Sequence, residues 1–200
     1  AGFKPVGTNS KAFKDWFGDS KVVDADGNPQ MFFHGTTHDF TKFQRTGEIP
    51  DIGFHFGTSY QAESRLENAA QRKAAAEGRA FKTQLEDYTG TQIMPVYLSN
   101  QKPLVLPDAG TWTAGSIASI LEVKGKEVKQ LTPEQKKRIK EIGQSNRAQA
   151  TKDLRNYLQS LGFDGIQYYN RAEGSGPSYV AFEPTQIKSA LINTGAFSST

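Results

Sequence analysis

The stretch MFFHGTT, residues 31–37, places three apolar residues directly before a histidine, a glycine and two threonines. It closely follows the cluster DADGNP, residues 24–29, which has two valines on its other side. An Asp-Gly-Asn-Pro sequence between two apolar runs predicts a β-hairpin or a tight loop. We therefore expect a short β-strand that ends at His34 and Gly35, where a polar side chain and an open backbone can meet a ligand.

Short apolar stretches elsewhere predict further β-strands, at residues 52–56, 92–98, 104–106, 164–169 and 178–182. Pro95 lies within the second of these and cannot donate a backbone hydrogen bond, which predicts an edge strand or a β-bulge there. A glycine-rich turn, residues 173–177, precedes the last strand.

Helices are predicted where apolar residues recur three and four positions apart. They are expected at residues 10–18, about 59–88, from 132 onward after a Thr-Pro-Glu-Gln capping box, and about 148–161. Gly18, Gly78 and Gly162 are expected to end or interrupt three of them. The second helix is strongly polar, so it can bury only a narrow stripe.

Strands thus lie toward both ends of the chain, with helices grouped between them. This order predicts an α+β domain rather than a regular βαβ array. Two hundred residues suit one domain. We expect it to span residues 1–200, with a helical insertion at about 110–160 and a frayed tail at 195–200.

The composition of the chain excludes some kinds of binding site and some classes of protein. The chain has no cysteine, which excludes disulfides and thiolate metal sites, and no apolar run approaches the length of a membrane span. Residues 122–155 contain ten Lys or Arg and five acids. Such a region can face nucleic acid or an acidic partner, or it can be a solvated helical face.

Two of the three histidines, His34 and His55, stand in predicted strands next to glycine and threonine. Two distant histidines without further ligands make a weak metal site. The sequence also lacks a Gly-x-Ser-x-Gly elbow, a Gly-x-Gly-x-x-Gly motif and a Walker loop. A histidine in an apolar strand is by default a hydrogen-bonded core residue, so these two residues alone do not identify a reaction.

The order of motifs resembles the ADP-ribosyltransferase superfamily, in the branch shared by diphtheria-type toxins and poly(ADP-ribose) polymerases. It is similar, more closely, to the transferase domains of phage polyvalent proteins and bacterial polymorphic toxins. The resemblance is carried by residues 13–23, 33–36, 53–58, 95–98, 162–166 and 179–190. It implies split antiparallel β-sheets with helices packed around them, and NAD as the substrate without a metal.

The resemblance also implies roles for the strand that ends at His34. His34 would hydrogen-bond a ribose hydroxyl of NAD, the backbone of Gly35 would read the carboxamide, and Thr36 would support the turn. The position of His55 usually carries a tyrosine that stacks on nicotinamide. An imidazole can also stack, with less area and a charge that titrates.

Three neighbours of His55 are expected to complete the NAD site. Phe54 and Phe56 flank it, and Thr58 follows with a hydroxyl group. That hydroxyl can reach the ligand or cap the following helix.

One position departs from the family pattern. Where the resemblance implies a catalytic glutamate, this chain has Ser178. Losing a charge about 4 Å from the reaction centre removes roughly 4 kcal/mol of Coulomb attraction at an effective dielectric near 20. Glu173 in the preceding turn is the favoured replacement, and Glu183 is the alternative.

The resemblance therefore predicts an NAD-dependent mono-ADP-ribosyltransferase of the glycosyltransferase class, acting as a toxin or effector. Its acceptor would be a protein or nucleic acid, and an immunity protein would be a further partner. We expect a monomeric domain that acts in the cytoplasm of a target or host cell, with no membrane attachment. Two alternatives stay open: a catalytically impaired module of the same fold that binds a protein or nucleic-acid partner, and an RNA 2′-phosphotransferase-like activity.

Overall fold

The computed structural model describes residues 7–36, 43, 51–79, 85–145, 148–171 and 174–190. Its helices are α1 Lys11–Phe17, α2 Ser59–Ala76, α3 Ala114–Lys124, α4 Pro133–Gly143 and α5 Ala150–Ser160. Its strands are β1 Phe32–Thr36, β2 Phe54–Phe56, β3 Gln92–Leu98, β4 Pro103–Val105, β5 Gly165–Asn170, β6 Gly176–Ala181 and β7 Ile187–Ser189. The frayed tail predicted at 195–200 lies outside the described residues.

The strands form two sheets, as an α+β domain requires. One sheet has the order β1-β3-β7 and the other the order β2-β6-β5-β4. The first is antiparallel throughout, but β4 runs parallel to β5 in the second. The predicted split sheets are present, and the second is mixed at this edge while its other pairings are antiparallel. The chain passes from β4 to β5 through α3, α4 and α5, and a connection of that length permits a parallel pair.

Reciprocal backbone hydrogen bonds between Phe33 and Gly57 join the two sheets. The Phe33 N–H donates to the Gly57 carbonyl at 2.8 Å, and the Gly57 N–H donates to the Phe33 carbonyl at 2.9 Å. Phe33 belongs to β1, and Gly57 directly follows β2. The end of β1 is therefore held beside the end of β2.

Pro95 does not mark an edge strand, because β3 is the central strand of its sheet. Pro95 lies opposite Phe33, whose backbone groups bond to Gly57 instead of to β3. On the other side, the Pro95 carbonyl accepts a hydrogen bond from Ala190, just beyond the end of β7. Toward β1 the register therefore needs no donor from this residue, and toward β7 the missing donor falls just beyond the end of that strand.

Capping residues in the sequence predicted several helix ends correctly. Ser10 caps α1 by accepting from the Phe13 N–H, and Gly18 ends the helix with a φ of 53°. The capping box of α4 is present, with Thr132 and Gln135 bonded to each other's backbone. Helix α2 ends at Ala76, and Gly78 follows with a φ of 73°, so the predicted interruption is confirmed.

Two packed layers surround the sheets. Helix α2 buries a narrow stripe of small and apolar residues, Ala62, Leu66, Ala70 and Ala74, four positions apart. Helices α3, α4 and α5 pack on the second sheet and share its largest hydrophobic cluster, which includes Ile117, Ile139, Leu154, Ile166 and Phe182. The three helices occupy most of the region predicted as a helical insertion.

Gly35 lies where β1 meets α2. A Cβ atom on Gly35 would stand 2.7 Å from the backbone oxygen of Ala62 and 3.2 Å from Cγ of Leu66. The first contact is with helix backbone, which cannot rotate away. The absence of a side chain at residue 35 therefore allows α2 to approach the strand.

We expect Gly35→Ala to lower the free energy of unfolding by about 1–3 kcal/mol, because α2 must move away from β1. Gly125→Ala is the matched control, since a Cβ there meets nothing within 4 Å and its φ is −58°. That control should be neutral or slightly stabilising. Denaturant unfolding of both variants measures the difference, and equal effects would contradict the close-approach argument.

Candidate active site

A small cleft opens where the end of β1, the end of β2 and the start of α2 meet. It is narrow and partly open to solvent, with a cavity volume of about 20 Å³. Five elements line it with polar side chains and backbone, and the lining residues include Gly35, His55, Gln61, Arg65, Tyr168 and Ser178. Four of the residues predicted for the site, Gly35, His55, Phe56 and Ser178, are thus brought together.

The backbone of Gly35 is directed toward this cleft. Successive residues of an antiparallel strand turn their N–H and C=O groups to alternate sides. Because Phe33 directs its groups to Gly57 and away from β3, Gly35 two residues later directs its groups to the same side. The cleft therefore has one backbone donor and one backbone acceptor facing it from a single residue.

His34 lies on the other face of β1 from the cleft. Its Nδ1–H donates to the His55 carbonyl at 2.7 Å, and its ring packs 5.3 Å from the Phe43 ring and 5.5 Å from the Phe56 ring. Burial lowers the pKa of His34 from 6.5 to about 4; the bond to His55 opposes that fall and the charge of Arg65 adds to it. His34 is therefore neutral at pH 7, with its proton on Nδ1 and a lone pair on Nε2.

His55 pairs with an acid that the sequence did not single out. Its Nε2 lies 2.7 Å from Oδ1 of Asp51, and its side chain is 12% exposed. Burial raises the pKa of Asp51, but hydrogen bonds from His55 and from the backbone of Gly53 and Ile52 outweigh it and hold that pKa below its ordinary value. A charged carboxylate therefore faces the imidazole N–H.

Ser178 is tied into a buried amide network. Its hydroxyl donates to Oε1 of Gln61 at 2.9 Å, and both residues are buried. The same Oε1 accepts the Thr58 N–H, while Nε2 of Gln61 donates to the carbonyls of Gly174 and Gly176. Gln61 thus joins the start of α2 to the turn before β6, and every polar group of its side chain is used.

The remaining predicted NAD contacts have structural partners. Phe54 and Phe56 point to the opposite face from His55 and join the core around Phe32 and Tyr179. Phe56 still borders the cleft, whereas Phe54 is absent from its lining.

Both predicted threonines lie near the strand ends. Thr58 caps α2 by accepting from the Gln61 N–H at 3.2 Å, which is the capping alternative foreseen for it. Thr36 is buried at the end of β1.

The two replacement acids have different outcomes. Glu173 lies outside the described residues, so its role stays a prediction. Glu183 accepts a hydrogen bond from Gln159 at 2.9 Å and caps the short 3-10 turn Pro184–Gln186. Glu183 therefore has a structural role outside the cleft lining and is not part of the site.

Sequence reasoning missed Asp51, Gln61, Arg65 and Tyr168. The sequence does allow a capping box between Thr58 and Gln61 to be predicted, because the two residues are three positions apart. No local rule connects Gln61 to Ser178 or Asp51 to His55, because these contacts form only when strands and helix assemble. Arg65 stands one turn after Gln61 on the exposed side of α2, where it resembles any solvated arginine.

The described residues offer neither a metal site nor a membrane-spanning helix. Within the described residues, no group of three or more His, Cys, Asp or Glu side chains could hold a metal ion. None of the helices in the described ranges combines the length and the apolar character needed to cross a membrane.

Comparison with known proteins identifies the family. The family model described as "ADP-Ribosyltransferase in polyvalent proteins" matches residues 24–197. The chain belongs to this family. The resemblance inferred from the motifs is thereby confirmed, and the α+β architecture agrees with it.

Other comparisons add little to this ADP-ribosyltransferase domain. A search of curated proteins gave no significant match. A crystal structure of an anti-CRISPR protein aligns over 80% of this chain and 94% of the other, at 13% identity and a TM-score of 0.32. A similarity of that size supports no statement about fold or function.

The pKa of His34 predicts how stability depends on pH. The unfolded chain binds a proton near pH 6.5, whereas the folded chain does so only near pH 4. Between these values the unfolded state holds more protons, so the free energy of unfolding falls as the pH drops, by about 3 kcal/mol in total.

The variant His34→Asn should remove this component, because an Asn amide keeps a donor near the Nδ1 position and does not titrate. The difference in unfolding free energy between unaltered protein and variant should therefore shrink between pH 6.5 and pH 4. Parallel stability curves over that range would show that His34 titrates normally.

Proposed function

We propose that this domain breaks the nicotinamide–ribose bond of NAD in the cleft and transfers ADP-ribose to a macromolecular acceptor. The chain belongs to a family of ADP-ribosyltransferases, and such enzymes use NAD as the ADP-ribose donor. The observation that carries the proposal is the convergence of the Gly35 backbone, His55 and Ser178 at the junction of the two sheets.

The Gly35 backbone suits the carboxamide group of nicotinamide. A carboxamide offers one carbonyl acceptor and an NH2 donor, and Gly35 presents one N–H and one C=O to the cleft. A residue without a side chain also lets the ligand ring approach the strand closely. In this proposal the carboxamide makes two hydrogen bonds to the same residue, which fixes the orientation of the ring.

The charged parts of NAD find matching groups nearby. Arg65 is exposed and borders the cleft, so it can pair with the pyrophosphate. Neutral His34 carries a lone pair on Nε2, which suits a ribose hydroxyl as donor. Its placement beyond the cleft lining means that NAD would extend across the end of β1 to reach it.

Glu173 is the acid that we propose for stabilising the oxocarbenium-like transition state. Its neighbour Gly174 is bonded through its carbonyl to Gln61 at 2.9 Å, and Gln61 in turn holds Ser178. The residue that follows Glu173 is thus fixed at the cleft. Ser178 itself is neutral and buried, so it contributes hydrogen bonding and no charge.

We further propose that the domain works as a toxin or effector in the cytoplasm of a target or host cell. Its acceptor would be a protein or nucleic acid, and an immunity protein would block it. It would act as a monomer without membrane attachment. The second candidate function is a binding module without catalysis, which is favoured by the uncharged Ser178 in the place of the family glutamate.

The decisive experiment follows nicotinamide release from NAD by the purified chain, together with the melting temperature at millimolar NAD. We expect release and an upward shift of the melting temperature, since a native-state ligand stabilises the fold. Glu173→Gln should reduce turnover by roughly two to four orders of magnitude while NAD still stabilises the protein.

Glu127→Gln is the control for that variant, because Glu127 lies in the 3-10 turn after α3, outside the residues that line this cleft. Its turnover should equal that of the unaltered chain. A thermal shift without any nicotinamide release would favour the binding module, and neither effect would refute the proposed catalysis.

A nucleic-acid acceptor would engage the basic side of α4. Two of its cations already face acids, since Lys140 lies 3.2 Å from Glu122 and Arg138 lies 3.4 Å from Glu141. Lys136 and Lys137 are the better candidates for phosphate contacts. Replacing both by Gln should weaken the binding of single-stranded RNA and lower the salt slope by about 1.4, at roughly 0.7 per phosphate contact.

The matched control replaces Arg138 and Lys140 by Gln, which removes the same formal charge from paired positions. This change should affect RNA binding less. Equal effects of the two double variants, or binding that does not depend on salt, would show that α4 is only a solvated helix.

A further inference from the structure

The family pattern implies only a stacking role for residue 55. That role does not explain why the His55 imidazole pairs with the Asp51 carboxylate. We propose that Asp51 and His55 form a general-base dyad that removes the proton from a neutral O–H nucleophile during ADP-ribosyl transfer. The inference rests on the proposed function, and it names the chemical class of acceptor as hydroxyl groups, water included.

The geometry fixes the proton on His55. Oδ1 of Asp51 lies 2.7 Å from Nε2, and the carboxylate is charged, so Nε2–H must be the donor. In the neutral ring the lone pair then resides on Nδ1. This is the arrangement in which a carboxylate orients an imidazole and stabilises the cation that forms when the ring accepts a proton.

Nδ1 is accessible. Among the described residues it has no hydrogen-bond partner, and no side-chain nitrogen or oxygen there is both buried and without a partner. The ring itself borders the cleft. A hydroxyl group that enters the cleft can therefore reach an imidazole nitrogen that is ready to accept its proton.

Asp51 is held in position by the fold. The Asp51 carbonyl and the Ile52 carbonyl each lie 3.4 Å from the guanidinium of Arg155, which is buried in α5. The Asp51 carboxylate also lies near the Gly53 N–H at 3.5 Å. These contacts fix the backbone that carries the carboxylate, as a positioning residue requires.

His55 also stands beside the other groups of the cleft. It pairs with Val180 across β2 and β6, and alternation places its side chain on the same face of the sheet as Ser178. Tyr168 pairs with Ser178 across β5 and β6 and shares that face. The Trp112 ring lies 6.4 Å from the imidazole on the remaining side. The accessible nitrogen therefore serves the cleft where we place NAD.

The step balances without any further reactant. The acceptor oxygen forms a bond to C1′ of the ribose while the bond from C1′ to the nicotinamide nitrogen breaks, and the electron pair stays on that nitrogen. The hydroxyl proton moves to Nδ1 of His55. The imidazolium then faces the Asp51 carboxylate and later releases its proton to solvent.

The test uses an anionic nucleophile. Azide carries no proton to remove, so it does not need a base, whereas water does. We compare nicotinamide release in water and with added sodium azide for the unaltered chain, Asp51→Asn and His55→Phe. Asp26→Asn is the control, since Asp26 is an exposed acid in the loop of residues 24–29.

We expect both dyad variants to lose roughly a hundredfold or more of the reaction with water, while their affinity for NAD changes little. Azide should restore nicotinamide release in both and yield ADP-ribosyl azide. His55→Phe keeps an aromatic ring for stacking, so its loss of the water reaction separates a base from a stacking surface. Asp26→Asn should behave like the unaltered chain.

Variants that keep the water reaction, or that lose it without recovery in azide, would overturn the dyad and leave the proposed function intact. An unaltered chain that releases no nicotinamide would refute the proposed function, and the dyad with it. A nitrogen NMR spectrum of the unaltered chain tests the geometry independently of activity. It should show His55 protonated at Nε2, and a proton on Nδ1 instead would overturn the inference.

Discussion

The reciprocal backbone hydrogen bonds between Phe33 and Gly57 are the constraint on which the site depends. They are the point at which β1, otherwise paired only with β3, meets the sheet that contains β2 and β6. This pairing turns the backbone of Gly35 toward the cleft and places it beside His55. A proline can lie in the central strand β3 because the N–H that it lacks would face the residue just beyond the end of β7.

Buried polar groups around this junction are satisfied in pairs, which makes the site rigid. Gln61 uses both ends of its amide, His34 donates to the His55 carbonyl, and Asp51 accepts from the His55 ring. Burial keeps His34 neutral while hydrogen bonds keep Asp51 charged. Two histidines in adjacent strands therefore have different electrostatic roles, and only the environment distinguishes them.

Features that depend on residues close together in the chain could be predicted from the sequence, and features that depend on distant residues could not. Helix caps at Ser10 and Thr132 were predictable, because the donor and acceptor lie within three residues of each other. The position of β3 and the parallel pairing of β4 were not, since sheet order depends on partners far along the chain. The same limit applied to the site, where Gly35, His55 and Ser178 were found from motif order and Asp51 and Gln61 were not.

The sequence by itself determined the family, the fold class, most helix boundaries and the strand ends that carry the histidines. These features follow from short-range patterns and from the order of motifs. Tertiary structure alone decided that Asp51 contacts His55 and that Gln61 binds Ser178. It also decided that Gly35 lines the cleft while the His34 side chain lies on the other face of β1. A hydrogen bond between distant residues has no local signature, because it exists only after both sheets and α2 have packed together.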